Sequence, residues 1–184
     1  MNHRHYLSIG AISATLLTLS AVGRAAFTSA ESPHVTFAAT GPAGFKIEGT
    51  TPDLTVSEAN GNISITVALA NLSTGISLRD HHMRDKYLEI PRFPTAVLTV
   101  SRAALQVPAP GTQAEADVPA TLTLHGQSRP VTVHYSTKSE GNSFSTVGKF
   151  RINMNDFGIS VPTYLGVTVK PDIDVNASFR ALGT

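Results

Sequence analysis

The sequence predicts an all-β fold, an antiparallel sandwich or barrel of about eight or nine strands with one short helical insertion. Three observations point there. Apolar and polar residues alternate in short runs such as Ile63-Ser64-Ile65-Thr66-Val67, the period-two pattern of a strand with one buried face. Turn signals built from Gly, Pro and Asn recur every eight to twelve residues or about that. One stretch alone, from Thr74 to Pro94, breaks the alternation.

In chain order, His3, Arg4 and His5 precede an apolar run from Leu7 to Val22 that ends in small residues, the layout of a secretory signal. Sixteen residues, several of them Ser or Thr, fall short of the roughly 20 that span a bilayer. Residues 1–30 are therefore assigned to a signal peptide and 31–184 to one domain. Cleavage after Ala25 and after Ala30 both suit the signal peptidase.

His34-Val35-Thr36-Phe37-Ala38-Ala39 reads as the first strand, and Gly41-Pro42-Ala43-Gly44 as the turn after it. Phe45 to Gly49 returns, Leu54-Thr55-Val56 follows, and Asn60-Gly61-Asn62 turns the chain into a strand from Ile63 to Ala70.

In the insertion, Ser77 and Asp80 stand three apart like a capping box that starts a helix. Met83, Tyr87 and Ile90 then fall at i, i+4 and i+7 on one face, and Pro91 and Pro94 end the helix. A helix from Leu78 to Glu89 is expected to close or shape one end of the strands.

Ala96 to Ser101 resumes the β pattern, and Pro108, Pro110 and Gly111 mark a loop. Thr121 to Gly126 and Pro130 to Tyr135 form a hairpin about a turn at Gly126-Gln127-Ser128-Arg129. Ser145 to Asn153 follows a turn at Glu140-Gly141-Asn142. One long strand from Gly166 to Phe179, bent at Pro171, closes the chain.

Composition excludes several classes of function. Removing Arg4 and Arg24 with the signal leaves 12 Lys and Arg against 13 Asp and Glu, a balance that offers nothing to nucleic acid or to an anionic membrane surface. No stable membrane insertion is expected once the signal is gone. With no cysteine, the chain has no disulfide framework, no N-terminal lipidation through Cys and no covalent haem site. No Gly-x-Ser-x-Gly elbow, Ser-x-x-Lys, His-Glu-x-x-His or Gly-rich phosphate loop occurs. No catalytic residue, metal or cofactor is assigned.

His81 and His82, as helix neighbours, point about 100° apart and make a poor metal pair. His81 with Asp85 reads as a surface contact, and His125 and His134 read as solvated. Asp80 and Arg79 fit a cap and a salt bridge that fix the helix to a rim. In the functional alternative, Arg79, Asp80 and His82 meet a ligand's polar head. An enzyme using His81, His82 or Asp80 in acid–base roles is the rival reading, and a self-filled structural module is another.

The inward strand phases suggest an apolar interior. It comprises Phe37 on the first strand, then Ile65, Val67 and Leu69, then Leu122 and Leu124, then Val131 and Val133. Phe150, Val167, Val169, Ile173 and Val175 complete it, with Met83 and Tyr87 from the insertion. Such an interior is filled by its own side chains or by a guest. Burying on the order of 500 Å² of apolar ligand contributes about 12 kcal/mol before association costs, so lipid binding needs no motif.

Four blocks, in order, resemble the YceI-like family. They are His34-Val35-Thr36-Phe37 with Phe45-Lys46-Ile47-Glu48-Gly49; Thr74-Gly75 with Arg79-Asp80-His81-His82-Met83; Leu122-Thr123-Leu124-His125-Gly126 through Arg129-Pro130-Val131; and Ile152-Asn153-Met154-Asn155-Asp156-Phe157-Gly158-Ile159. The resemblance implies an eight-stranded, lipocalin-like antiparallel barrel, exported to the periplasm, that holds a polyisoprenoid or similar amphiphilic lipid in an apolar tunnel. It implies no catalytic residues. The expected partner is thus a lipid ligand, a bound isoprenoid or fatty-acyl chain. An exposed barrel face leaves room for a homodimer.

Overall fold

The computed structural model describes residues 27–164 and 167–183. The first 26 residues, which carry most of the expected signal peptide, lie outside them. Strands dominate: β1 (Phe27–Thr40), β2 (Lys46–Thr51), β3 (Leu54–Ala59), β4 (Asn62–Ala68) and β5 (Thr95–Ser101) precede β6 (Gln113–Leu124), β7 (Gln127–Glu140) and β8 (Ser143–Asn153). A small hairpin of β9 (Thr163–Tyr164) and β10 (Val167–Thr168) comes before β11 (Asp172–Gly183). The helical insertion is α1 (Ser77–His82) continued by a π-helical turn, Met83–Tyr87.

All main-sheet pairings are antiparallel. They run in the order β11-β8-β7-β6-β5-β4-β3-β1-β2, and β1 also pairs with β11. The sheet therefore curls back on itself into a barrel-like wall, with β1 as the seam. Among the described residues, ten pairs join β1 to β11, whereas Thr28 opposite Ser57 is the single pair joining β1 to β3.

The main sheet has nine strands where the resemblance implied eight. Lys46–Thr51 and Leu54–Ala59 count separately, as the two runs Phe45–Gly49 and Leu54–Val56 predict, because Pro52 between them lacks an amide proton for the ladder. The Thr51 hydroxyl accepts from the Asp53 amide at 3.2 Å and holds the bend. β2 then pairs with the far half of β1, and β3 pairs with β4.

Three other expectations are corrected. The β6–β7 turn is His125-Gly126, with φ of 50° and 71°, rather than Gly126 to Arg129. Two consecutive left-handed residues match the right-handed twist of a two-residue hairpin. The closing strand starts at Asp172, because Val167–Thr168 pairs locally with Thr163–Tyr164. Ser77 does not cap the helix: Ile76 is at the cap position with no side-chain bond.

The insertion and the 154–171 connection share one end of the barrel, since both join strands at their Ala68, Thr95 and Asn153 ends. The other end is crossed by the 102–112 loop, where the Gln106 amide donates to the Tyr135 hydroxyl at 2.7 Å. Phe157, 1% exposed, anchors the 154–157 turn in the core. The Asn153 side chain caps that turn by accepting from the Asn155 amide, and Gly158 leaves it at φ 68°. Among the described residues, no helix is long and apolar enough to cross a membrane.

Candidate ligand-binding site

The inner face of the sheet does not collapse on itself. It surrounds a cavity of about 920 Å³ that extends from Leu105, Val107 and Pro108 at the loop end to Arg79, His82 and Lys86 at the insertion. Packed interiors hold few voids larger than a water molecule, so a space of this size is a structural feature in its own right. Ligand pockets commonly span roughly 300–1,000 Å³.

Alternation along each strand builds the wall. On β1, Phe37 lines the cavity between Val35 and Ala39; on β4, Ile65 and Val67 do so, followed by Leu69. Leu122 and Leu124 come from β6, Val133 from β7 and Phe150 from β8. Val169, Ile173 and Val175 close the circuit, and Met83 and Tyr87 reach in from the insertion.

One described residue expected in the wall is not seen there. Val131 packs against the core cluster near the strand end, beyond the cavity. Val167 takes its backbone into β10, and its side chain lies outside the described residues.

Several lining residues were not singled out from sequence. Ile63, Leu98, Val100, Tyr135 and Phe179 all line the cavity. The signal for them was present, because each falls on the apolar phase of its own strand. Leu105 and Val107 sit in an irregular loop, where no periodicity could identify them.

Arg79 and His82 line the cavity at the insertion end, while Asp80 does not. Asp80 is buried at 5% exposure and folds back onto the preceding loop. Its Oδ2 accepts from the Ser73 hydroxyl at 2.6 Å, and its Oδ1 from the Thr74 amide at 2.7 Å and the Thr74 hydroxyl at 2.5 Å. Burial pushes the Asp80 carboxyl up, but these hydrogen bonds and the Arg84 charge outweigh it and hold the group below its ordinary value.

Arg79 makes no salt bridge with Asp80. It donates from Nε to the Thr74 hydroxyl at 2.7 Å and from Nη2 to the Thr74 carbonyl at 2.9 Å. Arg79 and Asp80 therefore clamp Thr74 from two sides, and Gly75, at φ 79°, lets the loop turn between them.

His81 pairs with Asp85 at 2.8 Å on the exposed surface, as the spacing predicts. His125 is not solvated: its side chain is 10% exposed, with Nε2 3.2 Å from Glu89 Oε1 and Nδ1 3.0 Å from the Phe157 carbonyl. The turn at Gly126 brings it under Phe93, whose ring centroid is 4.5 Å away. His134 is exposed between Asp117 at 2.8 Å and Glu115 at 3.0 Å.

The family model of the YceI-like domain matches residues 29–181. A UPF0312 protein of Pseudomonas savastanoi pv. phaseolicola is 32% identical over 118 residues, 60% of this chain and 59% of that one. A UPF0312 protein of Pseudomonas fluorescens is 33% identical over 120 residues, 61% and 60% of the two chains. The chain thus spans about three fifths of the length of these curated relatives.

Among solved structures, a polyisoprenoid binding domain from Saccharophagus degradans, implicated in plant cell wall breakdown, superposes with a TM-score of 0.73 at 18% identity. The match covers 88% of this chain and 99% of that one. Burkholderia cenocepacia BcnA gives 0.64 at 16% identity, over 80% and 95%. At such identities the likeness establishes the fold alone.

Proposed function

This chain belongs to the YceI-like family, and from that membership and its cavity we propose that it binds or carries a polyisoprenoid, or a similar long-chain amphiphile, inside the barrel. The observation that carries this reading is the continuous apolar space of about 920 Å³ between the 105–108 loop and the insertion. A long hydrocarbon chain is the ligand class that such a wall stabilises, since apolar burial needs no directional contacts.

Export supports the same reading. A chain whose first 30 residues resemble a secretory signal would work in the periplasm, where moving a lipid through water requires an enclosed apolar compartment. The structural likeness to a polyisoprenoid binding domain is consistent with that ligand class.

The side chains of the rival enzyme reading diverge. Asp80 turns into its own loop, His81 meets Asp85 on the outside, and His82 lies at the cavity. Acid–base work needs groups within reach of one reacting atom, and these three do not converge. Binding, not catalysis, is the function the arrangement favours.

The test is extraction of the purified, exported protein with organic solvent, followed by mass spectrometry. A prenyl or other long-chain species in near-stoichiometric amount is expected. Finding none, together with no thermal stabilisation by added isoprenoids, would overturn the proposal.

A further inference from the structure

The insertion sorts its charges by sign. Its three acids turn away from the cavity: Asp80 onto Ser73 and Thr74, Asp85 onto His81, and Glu89 onto His125 and Arg92. Three of its bases, Arg79, His82 and Lys86, line the cavity, and among the described residues no Asp or Glu does. Their spacing of three and then four residues puts them along one helical face, beside Met83.

These bases are available. Among the described residues, neither Arg79 nor Lys86 has a carboxylate within the 4.0 Å of an ion pair. Arg79 gives Nε and Nη2 to Thr74, which fixes its guanidinium and leaves Nη1 for another acceptor. Opposite charges attract more strongly beside an apolar, low-dielectric wall than in bulk water. A neutral head group would gain little from the two cations Arg79 and Lys86, and a cationic one would be repelled.

We infer that the cavity mouth selects an anionic head group, a carboxylate or a phosphate, on the lipid whose tail fills the barrel. This rests on the binding function proposed above and adds the sign of the head. A fixed guanidinium suits either oxyanion, with the Lys86 ammonium adding charge nearby and the His82 ring nitrogens within the same lining.

The experiment uses delipidated full mature protein loaded with the neutral fluorescent probe N-phenyl-1-naphthylamine. Hexadecanol, hexadecanoate and hexadecyl phosphate compete for it near neutral pH. Both anions are expected to bind at least about tenfold more tightly than the alcohol, with the margin shrinking in about 0.5 M salt. H82Q/K86Q, with its folding checked by thermal melting, is expected to lose the margin of the anions over hexadecanol by at least about threefold.

The better of the two anions identifies the head as carboxylate or phosphate. Equal affinity for the alcohol, or a margin unchanged in H82Q/K86Q, overturns the head-group assignment alone. Failure of all three lipids to displace the probe overturns the binding function itself, and the assignment with it.

Discussion

Asp80 and Thr74 are joined twice through one carboxylate oxygen: Oδ1 accepts the Thr74 amide at 2.7 Å and the Thr74 hydroxyl at 2.5 Å. The insertion enters its helix through this contact. Asp80→Asn removes the charge and turns either an amide nitrogen or a weaker acceptor toward the two donors. A destabilisation of about 1–3 kcal/mol is expected for leaving such a buried group unsatisfied, measured by denaturant unfolding.

The same carboxyl sets an acid limit. Its folded pKa is held below the unfolded value, so its stabilising contribution is present above about pH 4 and is lost as pH falls through the folded pKa. The midpoint of thermal unfolding should fall less steeply with acid in Asp80→Asn than in the parent protein. Parallel curves below pH 4 would contradict this role.

His134 acts in the opposite direction. The hydrogen bond to Asp117 raises its pKa; partial burial opposes this, and the Asp117 charge and the Glu115 contact add to the rise. Its contribution is therefore complete below the unfolded value of about 6.5 and is lost as pH rises through the folded value. Histidine proton resonances should titrate above the ordinary value at this residue, and that upward displacement should disappear in D117N/E115Q.

Gly148 offers a way to fill the barrel without breaking it. It lines the cavity, its backbone is not left-handed, and an added Cβ would meet Val133 Cγ1 at an ordinary 3.5 Å. Gly148→Leu should lower lipid loading at least about tenfold while leaving the melting temperature equal to or above that of the ligand-free parent. Full loading in this variant would place the lipid elsewhere.

Phe27 distinguishes the two signal cleavage sites. It is 7% exposed, its ring centroid is 5.2 Å from that of Phe144, and its amide donates to Glu58 at 3.1 Å. Cutting after Ala30 would remove it, at a cost comparable to the roughly 3–5 kcal/mol of deleting a core aromatic. Cleavage after Ala25 is expected, and the intact mass of the exported protein checks it.

The four blocks that carry the family resemblance are largely structural. Asn153, Phe157 and Gly158 build one capped turn, His125-Gly126 forms a hairpin turn, and Arg79 and Asp80 clamp Thr74. Phe37 is a further case, since its ring occupies the space that a side chain at its cross-strand partner Gly49 would need. Motifs of this kind identify a fold because each satisfies a local backbone requirement. They say little about a ligand that is held by apolar contact.

Period-two alternation was enough to decide that Ile65, Val67, Leu122 and Leu124 share an inward face, because a strand places successive side chains on opposite sides whatever surrounds it. The helical face of Met83 and Tyr87 was equally local. The burial of His125 depended on neighbours far along the chain, Glu89 and Phe157. So did the cavity, because an inward apolar face looks the same in sequence whether it packs against a facing wall or against empty space. That difference is set by the curvature of the whole sheet, and only the tertiary structure decides it.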